Sequence, residues 1–94
     1  MMIKKITFSK EFKRDLINIS KKAPEILVSD RYIEVIYLLQ NNQPLPEKYK
    51  DHSLSGNMDN YRDCHIFNDL VLIYRIEDKH LYLSRIGTHS QVFK

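Results

Sequence analysis

Halfway along this chain the hydrophobic period changes, so its two halves cannot share one kind of secondary structure. Up to Gln40 the apolar residues recur at helical spacing, whereas from Tyr61 onward they run in short segments rich in β-branched and aromatic residues. The intervening Asn41-Asn42-Gln43-Pro44-Leu45-Pro46 cannot continue a helix, because each proline lacks a donor and restricts the residue before it. Three strands are expected at Tyr61–Phe67, Leu70–Ile76 and Leu81–Ile86, linked by Asn68-Asp69 and by Glu77-Asp78-Lys79-His80. Links this short imply antiparallel pairing. They place His65 opposite Leu72, Asp63 opposite Tyr74 and Leu72 opposite Arg85, so that Asp63, His65 and Arg85 share a face. A slip of one residue would send every side chain of a strand to the other face.

In the first half, Ile3, Ile6 and Phe8 read as a short strand that Ser9 ends. Serine caps helices by accepting from a free backbone N–H, and Phe12, Leu16 and Ile19 follow at helical spacing. A first helix over residues 10–22 is expected, with its lysines outward. Pro24 suits the first turn of a second helix running to about Gln40. Its apolar stripe of Ile26, Ile33, Ile36 and Tyr37, widened by Val28, Tyr32, Val35 and Leu39, predicts a helix that is largely covered. Tyr32, Tyr37, Tyr74 and Tyr82 read as packing residues. The segment from Asn41 to Asn57 reads as a polar loop of the kind that carries function. The expected architecture is α+β, two N-terminal helices packed on a twisted antiparallel sheet of about four strands, in one domain over residues 1–94.

Ninety-four residues can bury roughly 60–65% of the surface that the unfolded chain exposes, enough for one core. The net charge of +3 is compatible with a polyanionic partner without requiring one. Cys64, the single cysteine, excludes an internal disulfide and reads as a small buried apolar residue. No stretch approaches the roughly 20 apolar residues of a membrane span, and the start Met1-Met2-Ile3-Lys4-Lys5 lacks a signal-peptide core. A cytoplasmic protein without membrane association is expected.

Three of the four histidines, His52, His65 and His89, lie among acids and Arg85 in the second half. Imidazole exchanges protons near neutrality, so these groups suit cleavage of an RNA phosphodiester. That reaction needs a base for the ribose 2′-OH, a cation for charge gathering on the phosphate and an acid for the departing 5′-oxygen. Arg85 could supply the cation, Asp63 or Asp69 could orient an imidazole, and Phe93 could stack on a base or anchor the core. Arg62 and Arg75 read as sheet-surface charges or ion pairs as readily as phosphate ligands. His80, in a turn, reads as solvated. A metal site from His52, His65, His89 and Asp69 lacks the usual closely spaced ligand pair, so no metal and no cofactor are expected. A plain binding module remains an open alternative at this point.

The elements Lys50-Asp51-His52, Leu54-Ser55-Gly56, Tyr61-Arg62-Asp63-Cys64-His65, Asp69 before the apolar strand ending Ile73-Tyr74, and Arg85-Ile86-Gly87-Thr88-His89 followed by Phe93 together resemble the YafQ branch of RelE-like toxins. The resemblance is strong over residues 44–94 and extends to the helical half only in pattern. It implies a RelE-like fold and a type II toxin that cleaves mRNA in the ribosomal A site, leaves a 2′,3′-cyclic phosphate and is neutralised by a cognate antitoxin. The implied partners are that antitoxin, the 70S ribosome with its 16S rRNA, and mRNA. Carried over by position, His52, His65, Asp69 and His89 are catalytic, Arg85 stabilises the phosphate and Phe93 contacts a base, with Asp63 as a secondary candidate. His65 is expected to be oriented by Asp69, and His89 to act as the acid. Lys13, Lys21, Lys22, Lys48 and Lys50 would then grip ribosomal RNA. Leu70 stands where the family can carry a larger aromatic, and Lys94 extends one residue past Phe93. A relative with another target, such as DNA gyrase, or an inactive antitoxin-binding module is the alternative.

Overall fold

The computed structural model describes residues 3–58 and 60–93; Met1, Met2 and the terminal Lys94 lie outside the described residues. Strand β1 (Lys5–Phe8) is followed by helix α1 (Lys10–Lys22), a 3-10 turn (Pro24–Val28) and helix α2 (Asp30–Gln40). A second 3-10 turn (Glu47–Tyr49), the two-residue strand β2 (His52–Ser53) and a third turn (Gly56–Met58) lead to strands β3 (Arg62–Phe67), β4 (Leu70–Glu77) and β5 (His80–Gly87). The short helix α3 (His89–Val92) ends the chain.

The five strands form one sheet in the order β1-β5-β4-β3-β2. The expected antiparallel sheet of about four strands is therefore extended at one edge by β2, and it is mixed rather than antiparallel, because the expected first strand, β1, pairs in parallel. β1 pairs parallel to β5 although the two strands lie at opposite ends of the chain. β2 arises inside the expected loop, because His52 and Ser53 pair with Asp63 and Arg62.

Local chemistry sets the helices. The Ser9 hydroxyl accepts from the Phe12 N–H at 2.9 Å and starts α1 where the sequence predicts. The second helix differs from expectation. Ser29, with ψ 150°, breaks the run into a 3-10 turn and α2, and its hydroxyl accepts from Tyr32 N–H. A serine competes for backbone donors and favours a cap over a helix interior. With that break the stripe divides: Val28 is 73%, Ile33 52% and Tyr37 62% exposed, whereas Ile26, Tyr32 and Ile36 stay half-buried against the core. The other side of α2, at Val35 and Leu39, joins Phe12, Cys64, Ile66, Leu72, Leu81 and Ile86 in the core between helices and sheet.

Two bulges correct the predicted register. His65 pairs with Val71 and Asp63 with Ile73, one residue off the expectation, because Ile66 is an extra residue in β3. Neither Asn68 nor Asp69 has the positive φ that fits a two-residue hairpin, and a bulge supplies additional twist. The Ile66 carbonyl accepts from Arg31 Nε. At the other hairpin, Asp78 and Lys79 both take left-handed φ values, so the turn is two residues long, with Glu77 opposite His80. An extra residue at Ser84 then sets Arg85 opposite Ile73, and the Ser84 carbonyl accepts from the Ser9 hydroxyl at 2.6 Å. Both slips act on β4 alone. They send Leu72 and Tyr74 to the core and leave Asp63, His65 and Arg85 together on the face away from α1 and α2.

Candidate active site

That open face carries His52, Asp63, Ile73 and Arg85 in one row across the sheet, with His65, Val71 and Gly87 in the next. α3 packs back over β4 and β5. Thr88 and Gln91 form a capping box: Thr88 Oγ1 accepts from Gln91 N–H at 3.3 Å and Gln91 Oε1 accepts from Thr88 N–H at 2.9 Å. A Cβ on Gly87 would stand 2.7 Å from Gln91 Oε1, so any side chain there would push that amide away from Thr88 N–H.

The turn delivers His89 to the hairpin. One Asp69 oxygen accepts from His89 N–H at 3.0 Å and lies 2.8 Å from its Nδ1. The expectation that Asp69 orients His65 is therefore corrected: Asp69 projects from the β3–β4 turn toward α3, and it orients His89. Those contacts, the backbone N–H first, hold the Asp69 carboxyl below the usual carboxylate range. The rings of His65 and His89 meet edge to face at 4.9 Å between centroids, and His52 lies 6.4 Å from His65. Burial holds His65 below the ordinary imidazole range, against the opposing pull of Asp63.

His52 is positioned by its own loop. Lys50 is left-handed, with φ 51°, and its carbonyl lies 2.8 Å from His52 Nδ1. Asp51 is tied down by the Tyr74 hydroxyl at 2.5 Å and by Arg62 Nη2 at 3.0 Å. Tyr49, buried and donating to Glu34, anchors the preceding turn. Asp63 is 3% exposed, with Oδ1 3.1 Å from His52 Nδ1. That approach is poorly aligned for a hydrogen bond, and Oδ1 is a buried oxygen without a hydrogen-bond partner among the described residues. Burial pushes the Asp63 carboxyl above its usual range despite three nearby histidines.

Arg85 is held from behind. Its Nε donates to Asp15 Oδ2 at 2.8 Å and its Nη2 reaches Asp15 Oδ1 and the Gln91 carbonyl, each at 3.3 Å. Asp15 also accepts from Ile86 N–H at 3.0 Å, completing the edge of β5 where β1 has ended. A cleft of about 490 Å³, bounded by Arg14, Asn18, Lys22, Arg85 and Gln91, lies on this α1 side rather than over the histidines. Phe93 is 43% exposed, outside the core, with its ring 6.1 Å from His89. Lys13, Lys21, Lys22, Lys48 and Lys50 are all exposed, and Lys48 is 3.6 Å from Glu34. Among the described residues, no three of His, Cys, Asp and Glu are arranged to hold a metal ion.

The fold thus gathers His52, His65, Asp69, His89 and Phe93 at one end of one face, while Arg85, rooted in the same face on β5, has its guanidinium drawn to Asp15 on α1. Sequence reasoning missed Asp15 and Tyr49. An acid three residues after Phe12, on the side of α1 that must face the sheet, was the available signal for Asp15.

The profile of a family described as a bacterial toxin of type II toxin–antitoxin systems, YafQ, matches residues 4–94. The chain belongs to this family. As a YafQ toxin it is 48% identical over 91 residues to a candidate YafQ toxin of Haemophilus influenzae, covering 93% of this chain and 89% of that protein. It is 36% identical over 93 residues to the mRNA interferase toxin YafQ of Escherichia coli K12, covering 99% of each. The toxin in a crystal structure of the E. coli DinJ–YafQ toxin–antitoxin complex superposes with a TM-score of 0.82 at 36% identity, covering 99% of this chain and 100% of that one. Among the described residues, no helix of the chain is long and apolar enough to cross a membrane.

Proposed function

We propose that this chain, as a single toxin domain over residues 1–94, is an endoribonuclease that cleaves mRNA in the ribosomal A site without a metal ion. Carrying this reading is the meeting of His65 and His89 at 4.9 Å on an open sheet face, one partly buried and the other held by Asp69. His65, disposed by burial to stay neutral, takes the proton of a ribose 2′-OH. The 2′-oxygen bonds to the adjoining phosphorus, the P–O5′ bond breaks, and a 2′,3′-cyclic phosphate remains. His89, oriented by Asp69 at its Nδ1, gives a proton to the departing 5′-oxygen. Asp15 and Gln91 engage Nε and Nη2 of Arg85, and in this reading Nη1 is the nitrogen that takes the phosphate. His52, beside Asp63, completes the charge around the reacting atoms, and Phe93 stacks on a base. The five lysines contact ribosomal RNA, and a cognate antitoxin neutralises the toxin in the cytoplasm.

Primer extension on a translated mRNA, with and without ribosomes, tests the reading. A stop that needs ribosomes, and that disappears when the scissile nucleotide is 2′-deoxy, is expected. Equal cleavage of naked RNA would overturn ribosome dependence, and cutting of the 2′-deoxy substrate would overturn the mechanism. Growth arrest without mRNA cleavage would favour another target. Cleavage should also persist when hexammine cobalt replaces magnesium on ribosomes that remain intact; its loss there would restore a metal to the mechanism.

A further inference from the structure

The open face continues past the histidines. Two residues beyond Ile73, about 7 Å along β4, stands Arg75, opposite Tyr82. Its guanidinium lies 3.8 Å from the centre of the Tyr82 ring and 5.6 Å from that of Tyr61. The His80 ring stacks on Tyr82 at 3.8 Å and 17°, and its Nε2 is 2.6 Å from Thr7 Oγ1. Since a ring has only two faces, His80 and Arg75 take one each, and the series His80, Tyr82, Arg75, Tyr61 runs as a stack across β5, β4 and the start of β3. Tyr61 is fixed at its backbone, donating to Met58 and accepting from Leu54, each at 2.9 Å.

The two arginines of this face differ in what they have left to give. Arg85 has two of its nitrogens on a buried aspartate. Arg75 has Glu77 as its carboxylate partner, 62% exposed on the same face, and the Tyr61 hydroxyl beside it. A planar fork already immobilised between aromatic rings loses little freedom on binding an anion, and an exposed carboxylate on it is an exchangeable stand-in for a phosphate oxygen. Tyr61, at the end of the stack, offers a face to a base.

We propose that Arg75, clamped between Tyr82 and Tyr61, binds an RNA phosphate near the scissile link, forming a second RNA-backbone subsite two residues along β4 from the row of His52 and Arg85 and four from that of His65. This rests on the RNA-cleaving reading above. The occupant is single-stranded RNA because the patch is continuous with the face that would hold the reacting phosphate, and because a planar cation beside aromatic rings matches a backbone phosphate beside an unstacked base.

The test is single-turnover cleavage of ribosome-bound synthetic mRNAs in which one phosphate at a time near the scissile link is a neutral methylphosphonate. Arg75→Gln should slow cleavage about tenfold or more. For the wild-type toxin, one methylphosphonate position should cause a similar loss, and Arg75→Gln should lose nothing further at that position alone. Glu77→Gln, which removes the competing carboxylate, should lower the half-saturating toxin concentration. Should Arg75→Gln not fold, Arg75→Lys keeps the charge without the fork and should show the same single-position insensitivity in part. Additive losses at every position, or a half-saturating concentration that Glu77→Gln leaves unchanged, would overturn the subsite while leaving RNA cleavage intact. So would a defect confined to antitoxin binding. Absence of cleavage by the wild-type toxin would remove the underlying reading and this one with it.

Discussion

The two faces of the central sheet are built from alternate residues of the same strands, yet they obey opposite rules. On the covered face Cys64, Leu72, Tyr74 and Ile86 pack against Phe12, Val35 and Leu39 with almost no exposure, and the one phenol there places its hydroxyl on Asp51. On the open face a buried carboxylate oxygen of Asp63 has no hydrogen-bond partner among the described residues and an imidazole is held off its usual titration range. Val71 and Ile73 are fully buried there as well, so a dry floor lies beneath the charged groups. Apolar burial stabilises the first face. The second retains groups that a design for stability alone would omit, which is how perturbed titratable groups mark functional sites.

The sharpest way to break this contrast is to cross two substitutions. Leu72→Ala should cost about 2–5 kcal/mol of stability and leave the cleavage rate of the folded fraction near normal. His89→Ala or His65→Ala should leave the melting temperature unchanged while lowering cleavage by about 10²–10⁴-fold, with ribosome binding retained. Thermal melts and single-turnover rates on the same preparations decide it. A histidine variant that unfolds, or that cleaves normally, would erase the division between the faces.

Phe93 sits at the border between them. Anchoring to the core is the alternative that its 43% exposure and its place outside the core speak against. Phe93→Ala should keep its melting temperature and lose cleavage about 10–100-fold, the scale of a base–aromatic contact of about 1–3 kcal/mol. Phe93→Tyr and Phe93→Trp should recover much of it. A lowered melting temperature with normal cleavage by the folded fraction would move Phe93 to the stabilising side.

How much of this contrast could be read in the sequence depended on the range of the interactions. Period and capping are local, so α1 with its Ser9 cap and the β3–β4–β5 meander follow from residue order. The bulges at Ile66 and Ser84 do not, because each depends on how turn geometry and a neighbouring element compete for the same backbone. The predicted register was wrong by one residue on both sides of β4. It nonetheless grouped Asp63, His65 and Arg85 correctly, since the two slips cancel. Partners distant in sequence were illegible: Asp69 pairs with His89 rather than His65, and Asp15 reaches Arg85 across 70 residues. The exposure of Ile33 and Tyr37 was illegible too, for an amphipathic stripe does not say whether its cover lies in the same chain.

The lysines ask whether the helical layer is only a scaffold. Lys13, Lys21 and Lys22 are exposed on α1, and Lys22 borders the cleft beside Arg85. If they bind ribosomal RNA, replacing all three by Gln should weaken association and flatten its dependence on salt, by a slope of about 0.7 for each phosphate of single-stranded RNA that a lysine no longer neutralises. The rate at saturation should stay nearly constant. An unchanged salt slope would return α1 wholly to the stabilising side, whereas a reduced saturating rate would join it to the chemistry.

Asp63 is the smallest effect in stability and the most direct measure of what the open face gives up. Burial raises its carboxyl pKa in the fold, so the folded state favours the protonated acid. The resulting penalty is absent below the unfolded value of about 3.9. It grows as pH rises from there through the raised folded value, and is complete above it. Burial lowers the pKa of His65, which acts at the other end: its penalty is absent above the unfolded value of about 6.5 and grows as pH falls below it. Asp63→Asn removes a buried charged acceptor that lacks a hydrogen-bond partner, and at pH 7 it should raise stability by about 1 kcal/mol, a few degrees in melting temperature. The gain should shrink as pH falls through the range in which Asp63 titrates, and below about 6.5 it is further offset because the variant lacks the Asp63 charge that opposes the His65 penalty. Cleavage should fall, since His52 loses the negative charge 3.1 Å from its Nδ1. Melts of the two proteins across pH measure that difference directly. A variant less stable than the wild type at pH 7 would mean that Asp63 stabilises the fold, and that the open face gives up nothing at its most buried acid.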